Sequence, residues 1–139
     1  MQLDNFKRKV PDELVEFSRQ QVSDILNTIS GVDFVLLCSA DGFEIVSLYK
    51  KNRENTGKLA AVSSSILAMV QAFMKEIGLN DCQSLTLDAT YGKALLTAIP
   101  HPEYPMVMVV LGSKDLLLGQ LLFLIKKVDQ SIQKFKLIN

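Results

Sequence analysis

Residues 59–74 carry no charged side chain, and no other feature of this chain narrows its fold so far. Thr56 before the run is a capping residue type and Gly78 after it a terminating one, so the pattern predicts a helix over 57–77. Leu59, Val62, Ile66, Met69 or Val70, and Phe73 form the expected core stripe. Ala61, Ser65, Ala68 and Ala72 form a second stripe, widened by Ala60, Ser63 and Ser64. A surface helix ordinarily shows a charged back. This one has none, so one face is expected on a sheet and the other against a partner. Small side chains let two helix backbones approach closely, and a second copy of the chain is the expected partner. A membrane span needs roughly 20 predominantly apolar residues. This run is shorter and rich in Ser and Ala, and the apolar run over 116–125 is shorter still, so no membrane insertion is expected.

The rest of the chain supplies the sheet. Pro11 suits a first helical position, and Asp12 and Glu13 complement the positive end of a helix dipole, which predicts a helix over 11–30 ended by Gly31. Residues 33–40 and 43–49 read as strands joined by Asp41-Gly42, a two-residue type I′ hairpin signal. Residues 50–55 are a polar loop. Leu85, Leu87 and Ala89 alternate with Ser84, Thr86 and Asp88, the pattern of an edge strand over 83–89. Tyr91-Gly92 turns into a fourth strand over 93–99. Met106 to Leu111 is apolar throughout, as a central strand buried on both faces should be. Ser113 or Asp115 is expected to cap a last helix whose stripe is Leu117, Leu121, Leu124, Val128, Ile132 and Phe135. The order is α-β-β-α-β-β-β-α, an α/β fold with a five-stranded antiparallel sheet and helices on both faces. Residues 1–10 read as a tail and 11–139 as one domain.

Charge and cysteine content exclude several functions. Lys+Arg and Asp+Glu both number 15, for a net charge of +0, which lacks the basic footprint of a nucleic-acid binder. Cys38 lies in an apolar strand and reads as a buried thiol, whereas Cys82 reads as semi-exposed in a loop. Two cysteines so far apart form neither a disulfide framework nor, alone, a zinc site, and a reducing, cytoplasmic setting fits them. The first nine residues lack the apolar core of a signal peptide.

The search for chemistry nominates no active site. Thr56-Gly57-Lys58 follows a strand, but a phosphate-binding loop needs Gly where Asn52 stands and Ser or Thr where Leu59 stands. Gly112-Ser113-Lys114-Asp115 is a strand-to-helix turn that reads as a capping loop rather than an anion site. His101 is the single histidine and has no partner for a metal pair or a triad. Asp33, Asp41, Glu44, Glu54, Asp81, Asp88 and Glu103 are scattered. No catalytic residue, metal or cofactor is expected.

Three segments carry a resemblance: Val35-Leu36-Leu37-Cys38-Ser39-Ala40-Asp41-Gly42-Phe43-Glu44-Ile45-Val46, Lys58-Leu59-Ala60-Ala61-Val62-Ser63-Ser64-Ser65-Ile66-Leu67, and Val110-Leu111-Gly112 leading to Leu118-Gly119-Gln120-Leu121. In their order and spacing the chain resembles the Roadblock/dynein light chain family, as a bacterial-type single-domain member, over residues 13–135. The resemblance implies a profilin-like/Roadblock three-layer sandwich. It implies a homodimer formed through the second helix and third strand, with one sheet continuous across two chains. Ala61, Ser65, Ala68, Ala72, Leu85 and Leu87 then map to the dimer interface. It also implies a Ras-like small GTPase as partner, in some bacterial relatives with stimulated GTP hydrolysis but no catalytic residue from the regulator. Lys58, Lys75 and Glu76, at the helix ends, are candidates for a partner-binding rim. A dimeric scaffold subunit of a larger assembly and a profilin-like ligand-sensing domain remain as alternatives.

Overall fold

The apolar run beginning at Met106 lies at the centre of a five-stranded sheet. The structure, a computed structural model, describes residues 9–50 and 54–137. In chain order the elements are α1 (Asp12–Thr28), β1 (Val32–Ser39), β2 (Glu44–Tyr49), α2 (Thr56–Glu76), β3 (Ser84–Ala89), β4 (Gly92–Ile99), β5 (Met106–Gly112) and α3 (Leu118–Lys134). The strands run β2-β1-β5-β4-β3 across the sheet, and every neighbouring pair is antiparallel. The expected order, strand number and edge position of β3 are all present. Residues 1–8 of the tail and 51–53 of the polar loop lie outside the described residues. Val10, just before the expected boundary at residue 11, is buried against the core.

Strand periodicity sorts the core into two layers. Met106, Met108 and Val110 of β5, with Val35 and Leu37 of β1, face α1 and α3. Val107 and Val109, with Phe34, Leu36 and Cys38, face α2. α1 and α3 pack against each other, and Phe17 stacks on Phe135 with ring centroids 4.5 Å apart. α2 covers the other face alone, chiefly over β1 and β2. Each large side chain so enclosed stabilises the fold by roughly 1.5–3 kcal/mol.

The connections depart from expectation. The hairpin after β1 is a three-residue loop rather than a two-residue type I′ turn. Gly42 N–H donates to Ser39 O at 2.9 Å and Ser39 N–H to Phe43 O at 2.8 Å. Gly42 alone takes a positive φ, of 97°, whereas type I′ would need Asp41 there too. Space also demands this glycine, because a Cβ would meet Ser64 Oγ at 2.9 Å and Ala61 Cα at 3.2 Å. None of the three described helices has a side-chain N-cap. Asn55, in the left-handed region at φ 61°, precedes α2, so Thr56 is its first residue instead of its cap. α3 starts at Leu118 because the segment after β5 is used otherwise: Ser113 N–H donates to Gly31 O, and Lys114 reaches back to β3.

Candidate interaction surface

α2 is rotated relative to its expected stripe. Ala60, Ser63, Ser64 and Leu67 are its buried residues. Two residues assigned to the core are instead exposed, Val62 at 46% and Phe73 at 59%, and of the alternatives Met69 and Val70 the first is 66% exposed and the second half-buried. Bulk explains the correction. The sheet already fills that layer with Phe34, Leu36 and Val109, and the hairpin tip at Gly42 comes within van der Waals reach of the helix. Only small residues fit between such surfaces. The serines satisfy themselves locally, Ser64 Oγ and Ser65 Oγ donating to Ala61 O at 2.9 and 3.0 Å.

Of the second stripe Ala61, Ser65, Ala68 and Ala72 are exposed, whereas Ala60, Ser63 and Ser64, expected to widen it, are buried against the sheet instead. With Val62, Met69 and Phe73 the exposed four give α2 an uncharged outer surface of shallow and protruding apolar groups. Leu87 on β3 is 41% exposed, while Leu85 is half-buried against the α2-side core. β3 pairs with β4 only, so its far edge offers unpaired backbone groups. Lys58, Lys75 and Glu76 are exposed but do not form one cluster. Lys58 stands at the opposite end of a 21-residue helix from the other two, on the order of 25 Å away.

Gln71 joins helix and edge strand. Its Oε1 accepts from Cys82 N–H at 2.7 Å and its Nε2 donates to Cys82 O at 2.9 Å. Cys82 is consequently buried rather than semi-exposed. Neither Gln71 nor the protruding Met69 and Phe73 emerged from sequence reasoning. A lone amide in an otherwise apolar helix was the available signal for the first; a helix apolar on every side gives no phase for the others.

His101, Lys114, Asp88 and Cys38 have structural partners. His101 is buried. Its Nδ1 accepts from Glu103 N–H and Tyr104 N–H, both at 3.1 Å, and its Nε2 meets Phe135 O at 3.2 Å. These contacts require the neutral Nε2–H tautomer. Lys114 donates to Asp88 Oδ1 at 2.8 Å and to Ala89 O at 2.7 Å, tying the post-β5 turn to β3. The Lys114 ammonium, with Lys93 behind it, holds the Asp88 carboxyl below the usual carboxylate range. Cys38 is fully enclosed under α2, with Sγ 3.8 Å from Ala60 O. Burial, helped by the Asp41 and Glu44 carboxylates, pushes its thiol up to about 12. Gly57 lies in the first turn of α2, not in a phosphate-cradling loop. Among the described residues no group of three or more His, Cys, Asp or Glu is placed to hold a metal ion.

The Roadblock/LC7 domain pattern matches residues 19–110. The chain belongs to that family. Solved Roadblock structures share its fold at low identity. The gliding protein MglB of Thermus thermophilus is 14% identical, covers 90% of this chain and 92% of its own, and has a TM-score of 0.78. A Roadblock/LC7 domain from Streptomyces avermitilis is 12% identical over 83% and 93%, at 0.74. LokiProfilin1, solved with rabbit actin, is 14% identical over 90% and 98%, at 0.53, which extends the likeness to profilin. No curated protein matches the sequence.

Proposed function

We propose that this Roadblock domain, residues 11–139, is a non-enzymatic cytoplasmic module that works as a homodimer. The outer face of α2 and the open edge of β3 form its seam. Ala61, Ser65, Ala68 and Ala72 would allow close helix approach, while Leu85 and Leu87 extend the contact along β3. The observation that carries this reading is the charge-free outer face of α2 on a sheet whose β3 edge is unpaired. Both features are unfavourable in water and are covered by one operation, a two-fold pairing of copies. By length and apolarity α2 would also suit a membrane span. Its withdrawal would bare Phe34, Leu36, Val107 and Val109, at roughly 1.5–3 kcal/mol each, which favours a protein partner over lipid. The two unbridged thiols suit a reducing compartment.

The dimer's partner, in this reading, is a Ras-like small GTPase, as the family resemblance implies. Lys58, Lys75 and Glu76 are the dimer's polar rim. Hydrolysis of GTP is accelerated by positioning and charge stabilisation, so a regulator can act by holding the GTPase's own loops in the competent state. It must then prefer that state, because only differential affinity shifts a population. The test titrates the purified protein against Ras-like GTPases carrying GDP or a non-hydrolysable GTP analogue, with light scattering to read mass. The expected result is a dimer of twice 15.5 kDa that prefers the GTP form, and loss of both properties in Ala68→Arg. Equal affinity for both nucleotide forms would indicate a scaffold. A wild-type monomer at tens of micromolar would overturn the seam, and binding to no GTPase would remove the partner.

A further inference from the structure

α3 shows water a different surface from α1, the helix beside it. The charged side chains it exposes are all positive: Lys126, Lys127 and Lys134. Its one acid, Asp129, is half-buried and accepts from Gln133 Nε2 at 2.7 Å. Helical spacing puts the lysines on the side away from the core stripe of Leu121, Ile125, Val128 and Ile132. Phe123 stands on that outer side, 67% exposed, with the Lys127 ammonium 5.3 Å from its ring centroid. Leu117, just ahead of the helix, is 62% exposed.

α1 does not cancel this charge. The two helices run antiparallel: Phe17 in the first half of α1 stacks on Phe135 past the end of α3, and Ser113 ahead of α3 bonds Gly31 after α1. Asp12, Glu13 and Glu16 therefore sit at the far end of the layer from Phe123, and Asp24 is the one acid in the second half of α1. In the adjoining turns Lys93 and Lys114 match Asp88 and Asp115 in number, and both lysines pair with Asp88.

These groups name a partner. Protruding apolar side chains among lysines are matched by a surface that is anionic on top and apolar beneath. A fluid interface accepts Phe123 and Leu117 as they stand, where a rigid protein surface would need a socket for each. At 17 residues α3 would lie on a bilayer rather than cross it. We propose that the outer face of α3 docks on a bilayer containing anionic phospholipid. Phe123 and Leu117 enter the headgroup region, and Lys126 and Lys127 meet the phosphates. α3 lies on the sheet face opposite α2, so docking leaves the seam free. For its strength the docking rests on the proposed dimer. A two-fold that joins β3 edges keeps both α3 helices on one side of the sheet, so the two copies add their lysines on one plane.

The test mixes the full chain with vesicles of phosphatidylcholine, alone or with about 30 mol % phosphatidylglycerol, and reads co-sedimentation. Phe123→Trp supplies the only tryptophan in the sequence, and its emission reports entry of that side chain. Binding at least about tenfold tighter to the anionic vesicles is expected, weakening as salt rises, with blue-shifted emission on them. Lys126→Glu combined with Lys127→Glu should weaken binding by about 25-fold or more, at roughly fivefold per lysine. Phe123→Ser should weaken it by about tenfold and keep the salt dependence. Circular dichroism checks that these exposed-site variants stay folded. Ala68→Arg should bind about tenfold more weakly as a monomer, and light scattering on the same samples shows separately whether the seam has failed. No binding, equal binding to both vesicles, unshifted emission, or unchanged affinity in the α3 variants would each overturn the proposal. Tighter binding to polyglutamate than to vesicles would assign the face to an acidic protein and overturn it as well. A monomeric Ala68→Arg that binds vesicles as tightly as the wild type would overturn the part played by the dimer.

Discussion

α1 and α2 lie on opposite faces of one sheet, and each buries one side. They differ in what they show to water. α1 displays Glu13, Glu16, Gln20 and Asp24, with Arg19 in a 3.6 Å ion pair to Glu16. α2 displays Ala61, Ser65, Ala68 and Ala72 beside three large apolar side chains. The buried sides are equally adequate as core, so the fold does not account for the difference. An outward face that a monomer gains nothing from keeping apolar reports on something outside the monomer.

Arginine scanning gives the sharpest break in this comparison. Ala68→Arg is expected to cost several kcal/mol of association, because it buries an unpaired charge in the proposed seam. Gln20→Arg on α1 should change stability by no more than about 0.5 kcal/mol and leave the mass unchanged. Equal effects at both positions, read by light scattering and urea titration, would erase the distinction.

A smaller effect tests how tightly α2 is seated. Gly42→Ala places a side chain in the left-handed region and against Ala61 Cα. A loss of about 2–3 kcal/mol in urea unfolding is expected. A loss under about 0.5 kcal/mol would show that the hairpin tip does not press on the helix.

The smallest effect, over the first pH unit of its onset, appears only in alkali. Cys38 lies in the α2 layer, and its thiol titrates near 12 folded against 9.0 for an unperturbed one. Between these values the unfolded chain has lost a proton that the folded chain keeps. Stability is therefore full below pH 9 and falls as pH rises toward 12, by roughly 1.4 kcal/mol per pH unit. Cys38→Ala should flatten that slope in urea titrations at stepped pH, and an unaltered slope would assign it elsewhere.

The strands were readable because alternation and unbroken apolarity carry their own phase. Leu85 and Leu87 mark an edge, and residues 106–111 mark a centre. The rotation of α2 was not readable. When Val62 and Ser63 are both acceptable in a core, helical spacing alone does not choose between them, and the choice comes from Phe34 and Gly42 across the layer. The caps failed for a related reason: Ser113 starts a separate turn, closed by Leu116 N–H donating to Ser113 O, before α3 begins at Leu118.

Gln71 adds a consequence for assembly. Its amide meets the Cys82 backbone as one peptide group meets another, so the chain between α2 and β3 has little slack at that point. The entry to the edge strand is thereby tied to α2, and in the proposed seam a partner would meet both at once. The entropy of aligning them has been spent during folding and is not charged again on docking, which favours a slow off-rate from a modest contact area.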